Sequence, residues 1–137
     1  EKIYQKLRQI TDKKVYYVDG SVNVDIREEF KRRMEKNDDV IIVASYGTFS
    51  TGISIKNIHN IFFTESFKSE VIIRQSIGRG LRKHSSKDMV KIYDFIDDFR
   101  YKEEGHDWVN YVYRHGIARR TIYKEEKFPF EVQNIRF

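Results

Sequence analysis

Val40-Ile41-Ile42-Val43-Ala44-Ser45-Tyr46-Gly47-Thr48-Phe49-Ser50-Thr51-Gly52 runs five unbroken apolar residues straight into small and hydroxylated ones. Five apolar residues without alternation have strand length and suit a strand covered on both faces, the situation in parallel sheets. The polar segment that follows, Ser45 to Lys56, contains Gly47 and Gly52. Small residues let backbone amides approach an anion, and Ser and Thr add neutral donors. That chemistry suits a sugar-phosphate backbone held without reading its bases. An ordinary polar connection, with glycine supplying turn geometry, fits the same residues.

Working outward, Val15-Tyr16-Tyr17-Val18 reads as a short strand stopped by Asp19-Gly20-Ser21. Asp25 with Glu28 resembles a capping pair, and Ile26, Phe30 and Met34 share one helical face. Ile3, Leu7 and Ile10 place the opening of the chain in a helix. Downstream, the pattern predicts a strand over Ile58 to Phe63, a helix over Ser69 to Ile77, and a strand over Met89 to Ile96 closed by Asp97 and Asp98. Strands and helices alternate at roughly 25-residue intervals, which predicts β-α-β units, an α/β fold and a parallel sheet. Ligands of such sheets gather at the carboxyl ends of the strands, so Gly20 and Ser21 share a functional rim with the Ser45 loop. Past Phe99 the character changes. Trp108, Val112 and His115 fall on one helical stripe within 105–124, among Arg114, Arg119, Arg120 and Lys124. Phe128-Pro129-Phe130 would break that helix, leaving Phe130 to Phe137 as an edge strand.

A length of 137 residues suits one domain, and 39% hydrophobic with 34% charged residues describes a real core under a charged surface. The formal charge of +5 permits a polyanionic partner without requiring one. With no cysteine, thiolate catalysis, disulfides and cysteine zinc sites are excluded. No apolar run reaches membrane-span length and no signal-peptide pattern is visible, so no membrane partner is expected. The first residue is Glu1, which suggests a fragment or a processed chain. His59, His106 and His115 lack metal-ligand spacing, His84 beside Lys83 and Ser85-Ser86 reads as part of a solvated loop with a phosphate contact as the alternative, and Asp94, Asp97 and Asp98 read as salt-bridging or capping groups.

The chemistry concentrates in Gln75-Ser76-Ile77-Gly78-Arg79-Gly80-Leu81-Arg82. Residues at i and i+3 of a helix share a face, so Arg79 and Arg82 can reach one target together. Arginine is always charged, and its planar fork matches phosphate oxygens. Such a pair suits a phosphoryl group whose charge must be met during transfer. A solvated basic turn is the alternative.

From about Val15 to Phe99 the chain resembles the second RecA-like lobe of the superfamily 2 helicases. Ala44-Ser45-Tyr46-Gly47 and Ser50-Thr51-Gly52-Ile53-Ser54-Ile55 look like motif V, and Ile73 through His84 looks like motif VI. Within that superfamily it looks most like the phage UvsW helicase group, whose carboxyl-terminal helix His115-Gly116-Ile117-Ala118-Arg119-Arg120-Thr121-Ile122-Tyr123 resembles. The resemblance implies a RecA-like, P-loop NTPase-type parallel sheet flanked by helices, lacking the usual first strand. Residues 1–100 would form the lobe, and 101–137 a carboxyl-terminal helix and tail packed on it.

The same resemblance implies the roles. Arg82 would be the arginine finger, with Arg79 beside it on the ATP phosphates and Gln75 near the γ-phosphate or attacking water. Gly52, Ser54 and Gly78 would lie on the nucleotide side, although Ser54 stands where many relatives carry a ribose-binding aspartate. Gly20, Ser21, Ser45, Gly47, Thr48 and Thr51 would face the nucleic-acid backbone. The implied whole is an ATP-dependent DNA helicase or translocase remodelling branched DNA in recombination, repair or replication-fork intermediates. It would work in the cytoplasm, that of the host if phage-encoded. A non-catalytic nucleic-acid-binding module, or the motor lobe of a chromatin-type or restriction-enzyme translocase, are the alternatives. None of the seven glycines precedes a lysine, so the chain has no P-loop, and it has no Asp-Glu motif for magnesium. ATP and Mg2+ would therefore be bound mainly by an N-terminal helicase lobe, and this segment alone would be inactive.

Overall fold

A computed structural model describes residues 1–136 apart from Val22, Asp38 and Ile53; for Val24, Thr51, Gly52, Lys102, Glu103 and Asp107 it describes the backbone alone. The element order is α1 (Lys2–Ile10), β1 (Lys14–Val18), α2 (Val24–Met34), β2 (Val40–Ala44), a π-helical turn (Thr48–Gly52), β3 (Asn60–Phe63), α3 (Glu70–Gly80), β4 (Lys91–Asp94), β5 (Tyr101–Glu103), β6 (His106–Trp108) and α4 (Tyr111–Glu125). By contact, the chain divides into two compact units, Glu1–Ile61 with Arg74–Ile92, and Phe62–Ile73 with Tyr93–Phe137.

In the first unit β1 and β2 pair in parallel, from Lys14 opposite Val40 to Val18 opposite Ala44. The unbroken apolar run Val40–Ala44 is β2 from end to end, half-buried at every position. Val18, Met34 and Ile55 form the buried cluster, with Tyr16, Phe30, Val40, Ile42 and Ile58 packed against it. Asn23 caps α2 by accepting from the Asp25 N–H at 3.1 Å, so the cap lies two residues before the expected Asp25–Glu28 pair. Asp25 in the first turn and Lys31, Arg32 and Arg33 in the last complement the helix dipole. At the other end, the buried Asn57 side chain donates to the Met34 carbonyl at 3.0 Å and that of Asn37 at 3.3 Å. The expected core face of α2 holds for Phe30 and Met34 but not for Ile26, which is exposed a turn nearer the helix start.

β3 pairs with β4. Lys91 N–H donates to the His59 carbonyl at 2.9 Å and Phe95 N–H to that of Phe63 at 3.1 Å; the matched step shows a parallel pair. Along β3, exposed and buried residues alternate, with Ile61 and Phe63 inward. Phe62 stacks outward on Tyr93, with centroids 4.6 Å apart. Gly80 ends α3 where a β-carbon would come within 2.7 Å of Ile61 Cδ1 and 3.2 Å of Val90 Cγ2, so its lack of side chain permits that approach.

In the second unit α4 is fastened to β4 by a buried polar network. Arg119, fully buried, donates from Nε to both Asp94 carboxylate oxygens (3.0 and 2.9 Å) and from Nη2 to Oδ1 at 2.7 Å. Its Nη1 reaches the Phe67 carbonyl at 2.8 Å, and the Tyr123 hydroxyl donates to Asp94 Oδ2 at 2.8 Å. Burial, then the Asp94 charge, raises the Tyr123 hydroxyl far above its ordinary range, keeping it a donor. Asp94 is thus the salt-bridging group expected of it.

Two expectations for the carboxyl-terminal third are corrected. The helix expected over 105–124 starts only at Tyr111, and β5 and β6 form an antiparallel hairpin ahead of it, Tyr101 opposite Trp108. Glu104 and Gly105, at φ +48° and +82°, supply the two left-handed residues a tight hairpin turn needs. Trp108 therefore stacks on Tyr101 and stays exposed, off the α4 stripe. The edge strand expected over 130–137 is absent across 130–136, and Phe137 lies outside the described residues. α4 stops with Lys127 at φ +56°, while Phe128 N–H bonds the Tyr123 carbonyl and Lys127 N–H that of Lys124, a Schellman closure. Phe130 then packs edge-on against Tyr123 at 6.0 Å instead of entering a sheet.

Candidate nucleotide and nucleic-acid site

The rim at the carboxyl ends of β1 and β2 is tied together within the first unit. Ser45 N–H donates to the Val18 carbonyl at 3.3 Å, joining the two strand ends. Ser45 then caps the helical turn after it. Its hydroxyl donates to Thr48 Oγ1 at 2.8 Å and accepts from the Thr48 N–H at 3.4 Å, while its carbonyl accepts from Phe49 N–H at 2.9 Å. The segment expected as an irregular loop is therefore a π-helical turn, a shape common at functional sites. Ser50, buried, donates to the Gly47 carbonyl at 3.2 Å.

The β1 loop meets this turn. A β-carbon on Gly20 would lie 4.0 Å from Thr48 Oγ1. Asp19 Oδ1 accepts from Ser21 N–H at 2.9 Å and from its hydroxyl at 2.6 Å, and these bonds hold the Asp19 carboxyl below the usual carboxylate range. Arg27 on α2 donates to the Gly20 carbonyl at 2.9 Å, bracing the loop from the other side.

Both arginines turn toward the same segment. Arg79 Nε donates to the Ser50 carbonyl at 3.0 Å, and Arg82 Nη1 donates to Ser54 Oγ. Burial, and then the charge of Arg82, makes protonation of Arg79 less favourable than for a free guanidinium. Arg82 is not on α3, which ends at Gly80; it lies in the turn beyond, its N–H on the Arg79 carbonyl at 3.4 Å. Leu81 N–H still bonds the Ile77 carbonyl at 3.0 Å, so the winding of α3 tightens into this turn and keeps the two arginines three residues apart on one side.

The expected site residues thus fall into groups. Gly20, Ser21, Ser45, Gly47, Ser54, Arg79 and Arg82 gather around the strand ends and the π-helical turn. Thr48 is there too but buried, so its hydroxyl holds Ser45. Thr51 and Gly52 close the turn; their side-chain positions lie outside the described residues. Gln75 is exposed on α3, one turn before Arg79, and Gly78 is exposed with nothing within 4 Å of a β-carbon. Sequence reasoning missed Ser50, whose contribution is a carbonyl, and gave Arg27 no place in the site. A carbonyl leaves no mark in residue type. Arg27 carried one signal, its place at the start of a helix entered from the glycine turn.

Among the described residues, no group of three or more His, Asp or Glu could hold a metal ion, and no helix is long and apolar enough to cross a membrane.

Residues 1–84 match the family model of the helicase conserved C-terminal domain. The ATP-dependent DNA helicase uvsW of Enterobacteria phage T4 is 41% identical over 128 residues, covering 89% of this chain and 26% of that protein. The putative ATP-dependent helicase IRC3 of Saccharomyces cerevisiae is 33% identical over 88 residues, covering 58% of this chain and 13% of the yeast protein. This chain therefore spans about a quarter or less of either relative. Among solved structures, the C-terminal part of the Fun30 ATPase domain superposes with a TM-score of 0.61 at 20% identity, over 91% of this chain and 43% of that one. That likeness bears on the fold, which is α/β and matches a RecA-like lobe.

Proposed function

The chain belongs to the helicase conserved C-terminal domain family, and from that premise we propose that it is the second motor lobe of an ATP-driven DNA helicase or translocase. Residues 1–100 would make the lobe and 101–137 its helical extension. The observation that carries the reading is the convergence of Arg79 and Arg82 on the polar segment that follows β2, at Ser50 and Ser54. Two guanidinium groups at a rim of small and hydroxylated residues suit a triphosphate, whose charge is spread over several oxygens during transfer.

In this reading a first lobe contributes the P-loop, the Mg2+ ligands and the carboxylate that orients water, since this sequence has no glycine followed by lysine and no Asp-Glu pair. Arg82 is the finger on the transferred phosphoryl group, Arg79 supports it, and Gln75 reaches the γ-phosphate or the attacking water. Gly52, Ser54 and Gly78 face the nucleotide. Gly20, Ser21, Ser45, Gly47 and Thr51 offer amides and hydroxyls to DNA phosphates, with Thr48 holding Ser45 in place. When ATP draws the arginines in, the segment after β2 that they contact moves with them, and that segment carries DNA contacts. Nucleotide state thereby becomes displacement along a strand.

DNA as the track is supported by the name of the phage relative. Branched DNA is the narrower proposal, to be tested by comparing unwinding of a forked and a linear duplex of equal length. The decisive experiment is Arg82→Ala in the full-length protein, which should lower DNA-stimulated ATPase kcat by ~10³ or more. Unchanged turnover would sink the motor reading.

A further inference from the structure

We propose that Ser54 is a positioning residue, which parks Arg82 just beyond the π-helical turn until a nucleotide phosphate displaces it. The proposal rests on the reading of Arg82 as the finger. Arg82 is exposed on a turn beyond α3, and a long side chain so placed has many rotamers to choose from. Its Nη1 nevertheless ends on Ser54 Oγ. Ser54 can serve as an anchor because its neighbour Ile55 is buried in the cluster with Val18 and Met34, which fixes the backbone beneath the hydroxyl.

The type of acceptor matters. A hydroxyl is neutral and offers one oxygen, so its bond to a solvent-exposed guanidinium is enough to select a rotamer and weak enough to exchange. A phosphate brings formal charge and several oxygens, and so takes the guanidinium from the hydroxyl. A carboxylate at position 54 would instead compete with phosphate for the same planar fork. Residue 54 would thereby set how readily the finger leaves its resting place. Arg79 sharpens this balance, since partial burial and then the charge of Arg82 nearby disfavour its own charge, and an arriving anion relieves both.

The test is steady-state ATPase of the full-length protein carrying Ser54→Ala, Ser54→Thr, Ser54→Asp or Arg82→Ala, with and without DNA. Ser54→Asp should lower kcat by roughly tenfold while moving the KM for ATP by less than about twofold. Ser54→Ala should raise DNA-free kcat by about threefold, and Ser54→Thr, which keeps the hydroxyl, should restore wild-type behaviour. Thermal melts of each variant separate loss of fold from loss of positioning, and Ser54→Ala against Ser54→Thr decides the matter if Ser54→Asp does not fold. The proposal is overturned if Ser54→Ala and Ser54→Asp both keep the wild-type kcat. It is equally overturned if they raise the KM for ATP more than that for 2′-deoxy-ATP at constant kcat, the signature of a ribose contact. Arg82→Ala keeps the two questions apart. If it abolishes turnover while the Ser54 variants behave as wild type, only the parking role fails; if it leaves turnover intact, the motor reading itself fails.

Discussion

Glycine has opposite meanings at two helical positions of this chain. A β-carbon on Gly116 would fall 2.4, 2.6 and 2.7 Å from three atoms of Ile96, so no single rotation of that side chain clears the space. Gly116→Ala should destabilise the protein by about 1–3 kcal/mol, seen as a lower urea midpoint. Gly78 has open space around it inside α3, and Gly78→Ala should stabilise the fold by about 0.5–1 kcal/mol through helix propensity. If Gly78 faces ATP, the same substitution lowers ATPase activity in the full-length protein while the melting temperature rises. A gain in both would remove Gly78 from the nucleotide side. At this scale the sequence was readable where residue type matters by itself: two arginines, a hydroxyl run, glycines between strands. Gly116 gave no such sign, because its reason is the Ile96 side chain from the segment after β4.

At the scale of elements, α4 carries a pH sensitivity of its own. His115 is buried, with Nδ1 2.9 Å from Ser66 Oγ and its ring edge-on to Tyr111 at 3.9 Å. Burial, then the charges of Lys68 and Arg119, lowers its pKa below the ordinary 6.5. A base with a depressed folded pKa is neutral in the native state while the unfolded chain already binds protons. Stability is therefore full above pH 6.5 and declines as pH falls from 6.5 through the depressed native value. Melting temperatures near neutrality and at about pH 5 should show that decline, and His115→Gln should flatten it. Equal slopes for both proteins would assign the acid sensitivity to other groups.

The elements themselves divide by how local their causes are. β2 matched its sequence bounds at Val40–Ala44 because an unbroken apolar run says the same thing in any context. The start of α4 was misread because Trp108, Val112 and His115 satisfy helical spacing, and only the left-handed Glu104–Gly105 turn diverts Trp108 into a hairpin. Arg119 read as one more cation on a basic helix. Its full burial follows from Asp94, Phe67 and Phe95 arriving at the same point, which no spacing within α4 encodes.

For the whole molecule, the governing property is charge. A net +5 chain whose proposed contacts are amides, hydroxyls and arginines to phosphates should bind DNA through counterion release. Affinity of the full-length protein should fall linearly on a log-log plot against salt, and Arg79→Ala with Arg82→Ala should leave that slope nearly unchanged, since both are assigned to ATP. A slope reduced by about two would reassign the pair to DNA.

Residue order alone determined the alternation of strands and helices, the hydroxyl turn after β2 and the presence of an arginine pair, because periodicity and side-chain chemistry are local properties. Only the tertiary structure decided that Arg82, just past α3, donates to Ser54, that Thr48 is buried and bonded to Ser45, and that Arg119 closes on Asp94. Those depend on which backbones approach one another. A guanidinium's partner is whatever acceptor the chain brings within hydrogen-bond reach, and that acceptor can lie dozens of residues away.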